Sequence, residues 1–154
     1  MKNFDMAAVS RVASRVELRG IRLVDLSLVT KKVVDFGTPL EPSFETDCVP
    51  GLAESGSINV ECNFSFSVHS KGEEVSEARI KYLIHYKLTG EGVPSAEDAE
   101  AFAAINGAYH AWPFVRELIF SLTSRMGFQG FTLPVLSFHN PKKDKTEPSP
   151  VVNK

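Results

Sequence analysis

Residues 58–88, INVECNFSFSVHSKGEEVSEARIKYLIHYKL, decide the fold because they hold two alternating segments joined by a glycine-containing loop. From Ile58 to Val68 every second residue is apolar or cysteine, and the residues between them are polar. The segment from Ala78 to Leu88 has the same alternation. Because successive side chains of a strand point to opposite faces, each segment predicts a half-buried strand, and together they predict an antiparallel hairpin.

Another strand is predicted upstream, in the aliphatic stretch from Arg15 to Lys32. Its apolar residues alternate, but the phase changes near Gly20 and again near Asp25. Two interpretations stay open. Either β-bulges lie at these two positions, or the strand is buried on both faces.

The segment from Val33 to Ser57 contains prolines and glycines without a sustained period, and it is predicted to be a long connection. Long loops in compact domains are uncommon and often functional. Its apolar side chains either cap one end of the core or bind a partner, and they are Phe36, Leu40, Phe44, Val49 and Leu52.

Two helices are predicted after the hairpin. The first begins at a capping box formed by Ser95 and Asp98 and ends at Asn106-Gly107. The second runs from Pro113 to Met126. Phe120 lies off the apolar stripe of this helix, so it is either partly exposed or faces a partner.

Length and composition indicate one domain of 154 residues with a net charge of −2. Residues 1–138 are the expected domain, with a short helix within 1–14, and the Lys- and Pro-rich residues 139–154 are the expected disordered tail. The charge balance argues against nucleic acid as a partner, and no apolar run is long enough to insert into a membrane. A missing signal peptide predicts a cytoplasmic protein with reduced cysteines.

No catalytic or metal-binding pattern is present. The four histidines and two cysteines lack metal-ligand spacing, so no metal and no cofactor are expected, and Cys62 is predicted to be a small buried hydrophobe. Tyr109 and His110 are the one candidate pair for an enzyme, against the simpler interpretation of a packed or hydrogen-bonded histidine. The prediction is a protein that is not an enzyme.

The stretch from Asn106 to Leu136, NGAYHAWPFVRELIFSLTSRMGFQGFTLPVL, resembles the SecB export-chaperone family. That family has a Gly-Ala-Tyr turn, an aromatic-Pro-aromatic helix start, an Arg-Glu pair, a Ser-x-x-Ser-Arg-x-x-Phe motif and a run ending in Pro-Val. The matching residues here are Gly107, Ala108, Tyr109, Pro113, Phe114, Arg116, Glu117, Ser121, Ser124, Arg125, Phe128, Leu133, Pro134 and Val135. The order of strand, connection and hairpin extends the similarity to Val16–Val135.

The resemblance implies an α+β fold in which a four-stranded antiparallel sheet is backed by a long helix. It also implies a homotetramer, a dimer of dimers whose long helices pack between the sheets. Arg116, Phe120 and Ser124 would then lie near a subunit interface. Family members end in a second amphipathic helix where this chain has its Lys- and Pro-rich tail, so a groove wall is missing, altered or supplied by the N-terminal segment.

The function implied by the resemblance is an ATP-independent holdase that binds unfolded or newly made polypeptides in hydrophobic grooves. Its further partner is either the translocase motor of protein export or an antitoxin that the chaperone protects. An adaptor or assembly subunit that binds one folded partner is the alternative. The expected client contacts are Phe36, Leu40, Phe44, Val49, Leu52 and Trp112.

Overall fold

The computed structural model describes residues 5–51 and 56–136. These residues form an antiparallel sheet with the order β1-β4-β3-β2, made of β1 (Val16–Thr30), β2 (Glu41–Pro50), β3 (Ser57–Ser70) and β4 (Glu73–Leu88). The helices are α1 (Met6–Ala13), α2 (Ala96–Phe102) and α3 (Ala108–Arg125), with a π-helical turn at Ala103–Gly107 between the last two. The predicted class, a four-stranded antiparallel sheet backed by a long helix, is confirmed.

The predicted hairpin is present and tighter than expected. β3 and β4 are joined by Lys71 and Gly72, which have φ angles of 52° and 80°, as a two-residue hairpin turn requires. β4 therefore begins at Glu73, five residues before the predicted start at Ala78, and it includes the buried Val75.

The two phase changes in β1 are β-bulges. The register with β4 shifts between Leu18 and Gly20 and between Leu23 and Asp25, which leaves Arg19 and Val24 as the extra residues. Each bulge turns the following leucines back toward the helix side of the sheet. The alternative interpretation, a strand buried on both faces, is wrong, because most of β1 is exposed.

The prediction of one long connection from Val33 to Ser57 is wrong for Glu41–Pro50, which form β2 and pair with β3. This strand was not predicted because it contains Pro42 and Pro50, and proline cannot donate a hydrogen bond to a sheet ladder. β2 is the outermost strand, so the missing N–H groups are tolerated there.

The predicted boundary between the two long helices is also wrong. α3 begins at Ala108 and contains Pro113, and Gly107 has a right-handed φ of −59°. A Cβ atom at Gly107 would lie 2.7 Å from Cγ1 of Val60 and 3.1 Å from Sγ of Cys62. This glycine therefore allows the helical layer to approach the sheet closely, and it does not end a helix.

The helix ends predicted at Ser95 and Gly127 are confirmed. The Ser95 side chain accepts from the Asp98 N–H at 3.1 Å, and Gly127 has a φ of 78° just after α3. α1 lies within the expected residues 1–14, and its Arg11 donates two hydrogen bonds to Asp98, at 3.0 and 2.7 Å. Within 5–51 and 56–136, no helix is long and apolar enough to span a bilayer.

The two cysteines differ from the sequence prediction of reduced thiols. Cys48 and Cys62 face each other across the β2–β3 ladder, with Cα atoms 4.1 Å apart, and they form a disulfide. They are fourteen residues apart in sequence, but antiparallel pairing makes them direct neighbours. Both lie in the core beneath Gly107.

Candidate polypeptide-binding surface

The helix side of β1 is an exposed apolar surface, which we call the β1 face and which consists of Leu18, Leu23, Leu26 and Leu28. These leucines are 38–45% exposed, although they pair with buried residues of β4. The helical layer contacts β2, β3 and β4. Contiguous exposed apolar side chains mark binding surfaces in soluble proteins.

The β1 face continues onto α3 through Phe114. This phenylalanine is half exposed, and its ring centroid lies 6.2 Å from that of Tyr82, which pairs with Leu23. The surface therefore runs from the edge of the sheet to the side of the helix.

A second apolar region is the groove between α3 and strands β2 and β3. Residues 128–136, which we call the C-terminal segment, occupy it. Leu133 is only 5% exposed, and the ring centroid of Phe131 lies 5.9 Å from that of Phe66. The segment thus supplies apolar side chains to the core without forming a helix or strand.

The C-terminal segment runs along one ridge of α3, which consists of Trp112, Arg116, Phe120 and Ser124 and is called the α3 ridge. Residues four apart share a helix face. Trp112 Nε1 donates to the carbonyl oxygen of Pro134 at 2.9 Å, and Arg116 Nε donates to that of Leu133 at 2.9 Å. Near the other end, a Cβ atom at Gly130 would lie 2.6 Å from both Phe120 and Ser124.

The three residues predicted to lie at a subunit interface are therefore brought together on the α3 ridge. Arg116, Phe120 and Ser124 all contact the C-terminal segment of their own chain. Phe120 remains 51% exposed, so its ring is available to a partner. Their role in a subunit interface stays a prediction.

The expected client contacts divide into several groups. Phe44 and Trp112 pack together with ring centroids 4.8 Å apart, and Leu40 packs against the same core. Phe36 is 91% exposed. Val49 is exposed on the face of β2 opposite to Phe44, and Leu52 lies outside the described residues.

Tyr109 and His110 are neighbours whose ring centroids lie 5.9 Å apart, but His110 is hydrogen-bonded to a core residue. Tyr109 is exposed, whereas Nδ1 of His110 lies 2.7 Å from the hydroxyl of the buried Tyr86. Burial lowers the pKa of His110 and raises the pKa of Tyr86. The histidine serves as the hydrogen-bond partner of a buried phenol, as the simpler interpretation predicted.

Comparison with known proteins adds to this geometry. No family model matches the chain. It is 24% identical to the SecB-like chaperone Rv1957 of Mycobacterium tuberculosis (strain ATCC 25618 / H37Rv), over 83% of this chain and 81% of the relative. The SecB-like chaperone MT2006 of strain CDC 1551 / Oshkosh matches with the same identity and coverage. This chain is similar to the SecB-like chaperones.

The fold agrees with that similarity. A structure of the SecB-like chaperone Rv1957, in complex with a ChAD peptide from the Rv1956 HigA1 antitoxin, has a TM-score of 0.78 and 22% identity, covering 85% of this chain and 98% of that one. A Streptococcus agalactiae protein of unknown function has a TM-score of 0.50 and 13% identity, covering 77% and 96%.

Two parts of this surface were not predicted from the sequence. The exposure of β1 was not predicted, because bulges and burial on both faces stayed open as alternatives, although the leucine phase with two bulges places all four leucines on one face. Trp112 was also separated from Arg116, Phe120 and Ser124, although their spacing of four residues on a predicted helix was the available signal.

Proposed function

We propose that this protein is an ATP-independent chaperone that holds unfolded or newly made polypeptides on apolar surfaces. The observation that carries the proposal is the amount of apolar surface left open. Phe36 is 91% exposed, and the groove between α3 and strands β2 and β3 is lined by apolar side chains and accepts an extended segment, so apolar surface for a client remains when a second copy covers the β1 face. The similarity to SecB-like chaperones supports the same function.

Apolar surfaces suit a holdase because they recognise area and not sequence. Burial of apolar area contributes about 25 cal/mol per Å², so each contact is weak and many different segments are accepted. Several such surfaces on one assembly raise the overall affinity through effective concentration.

An antitoxin is the client class that we favour. The related Rv1957 structure contains an antitoxin peptide, which supports the same kind of client here. The net charge of only −2 gives little attraction for a basic tail of the translocase motor. A general role in cytoplasmic protein export is the second use of the same surfaces.

We further propose that the protein assembles as a dimer of dimers. Within residues 5–51 and 56–136, β1 is an edge strand with unpaired backbone groups and an exposed apolar face, so a second copy could cover both. Phe114 and Phe120, which are half exposed on α3, suit the packing of helices between two such sheets.

Suppression of aggregation tests the holdase function. The purified protein should prevent precipitation of a chemically unfolded client at near-stoichiometric ratio and without ATP. Phe36→Asp should weaken this activity, because it puts a charge into the most exposed aromatic position, whereas Ser10→Asp on the exposed side of α1 should not.

The alternative function makes the opposite prediction. An adaptor or assembly subunit would form one tight stoichiometric complex with a folded partner and would leave generic unfolded chains to aggregate. That result with the intact protein would overturn the holdase proposal.

A further inference from the structure

The groove beside the α3 ridge already contains an extended piece of polypeptide. After Phe128, whose N–H donates to the Thr123 carbonyl at 3.1 Å, the C-terminal segment is held through side chains of α3. Thr123 Oγ1 accepts from the Phe131 N–H at 3.0 Å, and Trp112 and Arg116 donate to the carbonyls of Pro134 and Leu133.

The three hydrogen bonds from the side chains of Trp112, Arg116 and Thr123 are made to backbone atoms of the segment. Every polypeptide has the same N–H and C=O groups, so Trp112, Arg116 and Thr123 could hold any extended chain in this direction. The selective contacts are apolar: an aromatic side chain at Phe131 and an aliphatic side chain at Leu133, two residues later. This is the pattern that a client segment would need to fill the groove.

The segment is also a weakly anchored part of the structure. It has no helix or strand of its own among residues 128–136. Leu133 is its one fully buried side chain, whereas Phe128, Phe131 and Leu136 are partly buried against the core and Val135 is 77% exposed. Segments with few buried side chains and no backbone ladder open at a fraction of the free energy of global unfolding.

We propose that residues 128–136 are an internal competitor for the client site, and that an extended client segment with an aromatic and an aliphatic residue two positions apart replaces them on the α3 ridge. The inference rests on the proposed holdase function and names its binding groove. It explains why Trp112, a predicted client contact, is bonded to the carbonyl of Pro134 and covered in the free chain. The apparent affinity for a client is then lower than the intrinsic affinity, because only the fraction of molecules with an open groove can bind.

Weakening the segment should strengthen client binding. Leu133→Ala removes its buried anchor and should lower the dissociation constant of a reduced, carboxymethylated client that stays unfolded by about tenfold. Val135→Ala, a matched change at an exposed position, should leave it unchanged. A weaker or unchanged affinity of a folded Leu133→Ala variant would show that the segment is a wall of the site, and would overturn the inference.

A second variant acts without removing a core side chain. Gly130→Val places a branched side chain where even a Cβ atom would lie 2.6 Å from Phe120 and Ser124, so it should lift the segment and tighten client binding as well. If Leu133→Ala does not fold, this variant decides the question.

A peptide in trans completes the test. A synthetic FQGFTLPVL, the sequence of residues 128–136, should compete with the unfolded client for the wild-type protein and more strongly for Gly130→Val. Failure of the peptide to compete would contradict the inference. The proposed function fails separately, if the wild-type protein binds no unfolded client at all.

Discussion

The two edge strands of the sheet, β1 and β2, solve the problem of an open edge in opposite ways. β2 carries Pro42, Pro50 and the acidic Glu45 and Asp47, and the disulfide ties it to β3. Its helix side lies under the helical layer. β1 carries four exposed leucines on its helix side instead.

This difference indicates which edge of the sheet avoids pairing with another chain and which edge favours it. Prolines and charges on an edge strand discourage pairing with another chain, whereas a long apolar edge invites it. We therefore assign β1 to the contact with another subunit, and we expect the edge of β2 to remain unpaired.

Negative charges on the β1 face should have the largest effect, which is on assembly. Leu23→Glu combined with Leu26→Glu should reduce the solution mass from that of a tetramer, because a second copy would have to bury both carboxylates. Sedimentation velocity measures the mass, and Val49→Glu, an exposed apolar position on β2, should keep the wild-type value. A wild-type monomer would remove the basis of the assembly proposal.

Truncation of Phe44 in β2 and of Phe36 before it should change the stability by different amounts, because the first ring is packed and the second is exposed. Phe44→Ala should lower the free energy of unfolding by about 2–4 kcal/mol, because its ring packs on Trp112 and Phe64. Phe36→Ala, at a 91% exposed position, should change it by less than about 0.5 kcal/mol. Urea unfolding measures both, and equal losses would show that Phe36 is buried in solution.

Gly107 tests how closely the helical layer approaches the sheet, and Gly20, which pairs with the exposed His85, is the open control position. Gly107→Ala should cost about 1–3 kcal/mol of stability, since its Cβ atom would meet Val60 and Cys62. Gly20→Ala in β1 should cost little, because no heavy atom of the described residues, apart from its chain neighbours, lies within 4 Å of the added carbon. A Gly107→Ala variant as stable as Gly20→Ala would contradict the close packing.

The smallest expected effect is a dependence of the free energy of unfolding on pH, which arises from the partly buried His110. Burial lowers the pKa of His110 below its ordinary value of 6.5, so the unfolded chain binds the extra proton first. The free energy of unfolding should be constant above that pH and decrease below it, before the carboxylates titrate. His110→Gln should flatten the decrease between about pH 6.5 and 5; an unaltered slope would mean that another group causes it.

Much of the sheet follows from local patterns in the sequence. Strict alternation predicted β3 and most of β4, and the phase changes in β1 located both bulges, although burial on both faces was the open alternative. These features depend on the period of a single strand, which a sequence displays directly.

The features that sequence analysis missed depend on neighbours that are distant in the chain. Pro42 and Pro50 are compatible with a strand only at an edge, and the strand order is a tertiary property. Gly107 resembles a helix stop until Val60 and Cys62 are placed beneath it. The client contacts were predicted from apolarity alone, which does not distinguish the covered Trp112 from the open Phe36.

The bulges of β1 make its tolerance to deletions uneven. Fifteen residues of β1 lie beside a shorter stretch of β4, and Arg19 and Val24 have no direct partner. Loss of either one would straighten the strand and leave every leucine on its present side. Loss of Ile21, between the two, would turn the residues on one side of the gap to the opposite face, and natural length variation in this strand is therefore expected at positions 19 and 24.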